Sequence, residues 1–173
     1  METKLFESLP FVQDILSHPA FNTLKNFAHH GTISCYQHTI AVAQLAYQLS
    51  RLLHLDYIAA TRGALLHDFY MYNWRTGGPR LHGLRHPHIA LNNAAKHFDI
   101  SKKEKDIILK HMWPLTPIPP RYVESWVVTF ADKIVSLSDY ARVLKDKMAA
   151  VNIYFYHKLN KLWRAIAPFQ SEQ

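Results

Sequence analysis

The sequence predicts an all-α fold, a single-domain helical bundle, on three grounds. Apolar residues recur every three or four positions through most of the chain, and no strand-length segment alternates with a period of two. Five glycines are few for a sandwich or barrel. The nine prolines gather at Pro114, Pro117, Pro119 and Pro120 and at helix borders, a pattern of helices joined by short turns. The length of 173 residues suits one domain with a sizeable core.

Residues 11–29 read as short helical pieces, and Pro19 opens the second because its fixed φ suits a first turn. Ser34 or Gln37 precedes a long amphipathic run with Ile40, Ala43, Ala46, Tyr47, Leu49 and Leu53 at helical spacing; His38 lies in its first turn. Asp56 is the N-cap expected for a helix over 57–68. Gly77, Gly78, Pro79 and Gly83 mark 69–85 as a loop. Pro87 opens a helix to about residue 98, with Ile89, Ala90, Ala94 and Phe98 on one face. Ser101 caps a helix over 102–112, and Glu104 completes a capping box. The proline-rich stretch 114–120 ends it. A long helix is expected over 121–147 and a last one over 149–165.

Apolar residues make up 49% of the chain, too many for a disordered one. Cys35 is the only cysteine, which excludes an intramolecular disulfide and favours a reducing compartment. The sequence opens without a basic n-region and apolar h-region, and no apolar stretch reaches the ~18 residues of a membrane span. A cytoplasmic location with no membrane partner is expected. The formal charge is +7, but its Lys and Arg residues are dispersed, which speaks against nucleic acid and suits anionic phosphate esters. Composition does not fix the oligomeric state.

The chemistry centres on His67-Asp68, which ends the apolar helical run 58–66. A histidine and a carboxylate where a core meets solvent need partners, and a divalent metal satisfies both. His38, His86, His111 and Asp132 are the further ligand candidates. Each has an ordinary alternative: a capping role for His38, the helix dipole for His67 and His111, a loop position for His86. Asp132 lies in a helix among Val128, Phe130 and Ile134, so it needs a metal or a salt bridge, perhaps to Lys133. Mixed imidazole and carboxylate donors suit Fe, Mn, Zn or Co and disfavour Ca. Six ligands exceed the needs of one ion, and Asp68 can bridge two.

The order His, His-Asp, Asp, carried by His38, His67-Asp68 and Asp132, resembles the signature of the HD-domain metal-dependent phosphohydrolase superfamily. The resemblance covers roughly residues 35–145; Ala64-Leu65-Leu66-His67-Asp68 and Ala131-Asp132-Lys133 look like its central motifs. His86 and His111 resemble the extra ligands of two-metal members, which include HD-GYP phosphodiesterases and a bacterial group that cleaves dinucleoside tetraphosphates. The resemblance implies one HD domain over 1–173, with a core at about 35–145 and flanking N- and C-terminal helices. It implies a first divalent ion on His38, His67, Asp68 and Asp132, and a second on Asp68, His86 and His111. The implied activity is hydrolysis of a phosphate ester or anhydride, with a nucleotide or related phosphorylated small molecule as substrate. Phe69-Tyr70-Met71 follows the pair in place of Ile-Gly-Lys, and no Gly-Tyr-Pro signature occurs, so a cyclic-dinucleotide phosphodiesterase of the HD-GYP type is not expected.

Asp68, Arg85 and Lys133 are the catalytic candidates. Arg85, beside His86, is the first cation expected at the phosphoryl group, followed by Lys133 and Arg75. Lys133 lies about 100° around the helix from Asp132. Plain surface charge is the favoured reading for Arg75 and Lys110. Tyr70, Tyr72, Trp74 and Trp113 form either an aromatic wall for a base or ordinary packing. His82 and His88 stay undecided. The rival readings are a single-metal nucleoside monophosphate nucleotidase, a metal-stabilised binding module without turnover, and a nucleic-acid-binding helical domain.

Overall fold

Helix α4 is the spine of a bundle whose other members are short. The protein is described here by a computed structural model covering residues 3–166. A two-residue turn at Gly31, whose φ of 57° favours glycine, joins strand β1 (Ala28–His30) to β2 (Ile33–Ser34). Helices α1 (Thr3–Glu7), α2 (Pro10–Leu16) and α3 (Pro19–Asn22) and a 3-10 turn (Thr23–Asn26) precede this hairpin. Their buried Phe6, Val12, Ile15, Phe21 and Leu24 close one end of the core.

Ser34 then starts α4 (Cys35–Leu52) with a full capping box. Its hydroxyl accepts from the Gln37 amide at 3.2 Å, and the Gln37 side chain accepts from the Ser34 amide at 2.9 Å. Asp56 caps α5 (Tyr57–Leu66) by accepting from the Ala59 amide at 3.0 Å. Helix α5 is built of small residues because α7 (Lys102–Lys110) crosses it closely. A Cβ at Gly63 would lie 2.7 Å from Ile107 Cδ1. Ser101 and Glu104 form the expected capping box at the start of α7, and Glu104 also accepts from Arg62 Nε at 2.7 Å, tying α7 back to α5. Helices α6 (His82–His97) and α8 (Val123–Ile166) complete the bundle, with α8 packed on α4, α5, α7 and β1.

The described residues are therefore mostly helical, as the periodicity predicts, with four differences. The hairpin is new; strands of three and two residues are too short to show alternation. Helix α6 begins at His82, five residues before Pro87, so His86 is a helical residue and not a loop one. Pro87 sits in the second turn, where it removes one backbone bond, the one directed at Gly83. Helix α8 runs unbroken for 44 residues in place of the two expected helices. Met148-Ala149-Ala150 is a strong helix-forming stretch without glycine or proline, so nothing breaks it there. Helices α5 and α7 end earlier than expected, at Leu66 and Lys110, which makes His67 and His111 their C-caps. No helix among the described residues is long and apolar enough to cross a membrane.

Candidate metal centre

Five helices deliver the six expected ligands to one buried point. His38 comes from the first turn of α4, His67 and Asp68 from the end of α5, His86 from α6, His111 from the end of α7 and Asp132 from α8; all are buried. Ligand atoms of His38, His67 and Asp68 lie within 4.8 Å of one another, as do those of Asp68, His86 and His111. Asp68 is common to both sets. Its Oδ1 is 3.1 Å from His86 Nε2 and 3.6 Å from His111 Nε2, and its Oδ2 is 3.6 Å from His67 Nε2.

Backbone carbonyls settle the tautomers of three rings. Nδ1 of His67 donates to the Ala64 carbonyl at 2.6 Å, that of His86 to the His82 carbonyl at 3.1 Å, and that of His111 to the Ile108 carbonyl at 2.8 Å. A carbonyl only accepts, so Nδ1 carries a proton and each ring turns its Nε2 inward, where a lone pair is presented whenever the ring is neutral. These nitrogens face each other and a carboxylate: His86 Nε2 and His111 Nε2 are 2.8 Å apart. His67 Nε2 is buried with nothing at hydrogen-bond distance; the Asp68 and Asp132 carboxylates lie 3.6 and 3.7 Å away. Ring nitrogens and carboxylates gathered this closely need protons or a cation between them, and this set could hold a metal ion.

His38 is held differently. Its Nδ1 donates to Asp139 Oδ2 at 3.0 Å, while its Nε2 faces Asp132 Oδ1 at 3.1 Å. In the ion-free protein protons compensate part of the negative charge. Burial disfavours the charged His38 ring, yet the bonds to Asp132 and Asp139 raise its pKa to about 9. Burial alone would raise Asp68 and Asp132; the neighbouring histidines instead hold both well below the ordinary carboxylate range. Burial, with the charges of His67 and His86, drives His111 down to about 3.

The centre opens into a cavity of about 650 Å³. Asp68, His86, His111 and Asp132 line one side; Trp74, Met112, Pro114 and Leu115 give the other an apolar wall. Lys133 lines it too, its Nζ donating to the His111 carbonyl at 3.1 Å, and burial lowers its pKa. His82 Nδ1 shares a hydrogen bond of 2.9 Å with the Tyr72 hydroxyl, and its ring stacks on Trp74 and His86. Burial and the charge of His86 lower its pKa to about 4, so its ring is neutral at neutral pH.

Arg85 is not brought into this site. It is exposed, about 100° around α6 from His86, and is absent from the cavity lining. Arg75 is also exposed, with its guanidinium over Trp74. Lys110 and His88 lie along a second cavity with Leu84 and Pro117. Tyr70 is fully buried beneath His82 and His86, and Trp113 packs on Trp126.

Three further residues belong to the site. Asp139 orients His38, Ser136 donates to Asp132 Oδ1 at 3.4 Å, and His29, from β1, places its ring on His38 with Nδ1 3.7 Å from Asp68 Oδ2. Asp132, Ser136 and Asp139 are spaced four and three residues apart, one helix face, and that spacing was the signal for the last two. His29 left none, because the hairpin that carries it left none. Cys35 Sγ is also close to His29 and Asp68, but burial raises its pKa well above the usual thiol value, so it stays a protonated thiol. Comparisons with family models, curated proteins and solved structures return no match.

Proposed function

We propose that this protein is a metal-dependent phosphohydrolase that cleaves a phosphate ester or anhydride, with a nucleotide or related phosphorylated small molecule as substrate. The observation that carries the reading is the ring of tautomer-fixed Nε2 lone pairs around Asp68, whose two oxygens face different histidines. His38, His67, Asp68 and Asp132 would hold one divalent ion, and Asp68, His86 and His111 a second. Nitrogen and oxygen donors of this kind suit Fe, Mn, Zn or Co. When bound, such ions supply Lewis acidity and water activation at neutral pH.

The chain's own groups do the rest. Asp68 and Asp132 remain ionised at all working pH values and so keep their ligand form. Asp139 fixes the His38 ring. Lys133 places an ammonium on the cavity wall, where it complements phosphoryl charge. Trp74, Met112, Pro114 and Leu115 take the organic part of the substrate and exclude water. The His, His-Asp, Asp order shared with HD-domain phosphohydrolases supports the same reading. A lone buried thiol suits a reducing, cytoplasmic setting.

The test is an assay of nucleotides and phosphodiesters with added Mn, Co or Fe, scored by product formation. Turnover of at least one compound, lost in Asp68→Ala, is expected. Ligand-induced thermal stabilisation with no product from any compound would instead identify a binding module.

A further inference from the structure

The packed face of α8 ends at Val143, whose side chain closes on Gly31 of the hairpin. Residues 144–159 beyond it are all exposed, a projection of about 24 Å at 1.5 Å per residue. On the side of α8 away from the core, Phe130, Ile134, Leu137, Ala141, Leu144, Met148, Val151 and Phe155 form one exposed line. All but Ala141 are large apolar residues, 52% to 73% exposed. Their spacing alternates strictly between four and three residues. An average of 3.5 is the seam of a helix that supercoils with another helix, narrower than the apolar face a helix turns to a globular core or a lipid surface.

We propose that this line is an interface with a second copy of the chain. The line is complementary to itself when two α8 helices run antiparallel about a twofold between Arg142 and Val143. Ala141 then meets the partner's Leu144, Leu137 the partner's Met148, Ile134 the partner's Val151, and Phe130 the partner's Phe155, so small residues face large ones and aromatic faces aromatic. On one flank Tyr140 meets the partner's Lys147, which sets ring against ammonium and brings no like charges together. Side chains of this size, more than half exposed, have on the order of 100 Å² each to bury, so the line and its flanks approach the roughly 800 Å² per partner of a stable interface. None of the eight residues of the line itself lines the cavity beside the candidate metal centre.

Sedimentation equilibrium of the full chain tests it. The expected mass is twice 20.1 kDa. Leu144→Glu combined with Met148→Glu is expected to weaken association about 100-fold or more, with the cooperative thermal unfolding of the bundle retained. Ile153→Glu makes the same polarity change off the line and is expected to leave the mass unchanged. A full chain that sediments as a monomer at 100 μM overturns the proposal. So does equal loss of association in the double variant and in Ile153→Glu, or a monomer that instead co-sediments with anionic phospholipid vesicles.

Discussion

Asp139 accepts a hydrogen bond from His38 Nδ1 at 3.0 Å, and the opposite nitrogen of the same ring faces Asp132 at 3.1 Å. One imidazole is thus gripped by two carboxylates that lie two turns apart on α8. Asp139 is outside the candidate ligand set, yet with an ion on Nε2 it would keep the remaining proton on His38 Nδ1 and raise the basicity of Nε2. Replacing Asp139 with Asn is expected to weaken divalent-ion affinity about 10- to 100-fold, as outer carboxylate partners of ligating histidines do. Competition with a chelator reads this directly; an unchanged affinity would remove Asp139 from the centre.

Arg85 was expected ahead of Lys133 because it adjoins His86, and the structure reverses that order. Lys133 lines the cavity and is tethered to the His111 carbonyl, whereas Arg85 faces solvent. Lys133→Ala is expected to lower kcat by about 10²-fold, the scale for removing one charge-stabilising group, with bound-metal content unchanged. Arg85→Ala is expected to leave kcat within twofold. Steady-state kinetics on the two variants would expose a reversed order.

The ion-free protein has a defined pH profile. His38 keeps its proton up to about pH 9, against 6.5 when unfolded, so the folded state binds more protons between these values. Stability contributed there is complete below pH 6.5 and is lost as pH rises through 9. His111 and His82 behave oppositely: pushed down to about 3 and 4, they stay neutral while the unfolded chain takes up protons below 6.5. Stability is lost on that side as pH falls. Urea midpoints in the presence of chelator should therefore peak near pH 6.5, and a steady rise to pH 9 would show that the His38 pairing is absent.

Gly63 of α5 lies against the Ile107 side chain of α7, where an added Cβ would come within 2.7 Å of Cδ1. Gly63→Val forces those side chains apart and is expected to destabilise the fold by about 2 kcal/mol, within the range for overpacking. Thermal unfolding measures it. Because α5 carries His67 and Asp68 at its end, a loss of bound metal is expected alongside.

Much of this was readable from the chain. The caps at Ser34, Asp56 and Ser101 work because a side-chain oxygen and a following amide are local, and local chemistry shows in local sequence. The convergence of the six candidate side chains was readable because residue type restricts what can satisfy a buried imidazole or carboxylate. What the sequence hid depends on distance. Arg85 is adjacent to His86, but neighbours on a helix point about 100° apart, so adjacency in sequence misplaces it. Pro87 suggests a helix start because proline suits a first turn, yet tertiary packing of His82 and His86 overrode that preference. His29 reaches the centre only through the fold of a hairpin too short to leave a pattern.

The central claim is that Asp68 and the histidines around it bind divalent ions. Elemental analysis of protein purified without chelator, repeated after incubation with Mn, Fe, Co and Zn, tests it most directly. The account predicts one or two equivalents per chain in the unaltered protein, and loss of most of that metal in His67→Ala with the helical content kept. An unaltered protein that takes up none of the four ions, or a His67→Ala variant that holds as much as its parent, would contradict it.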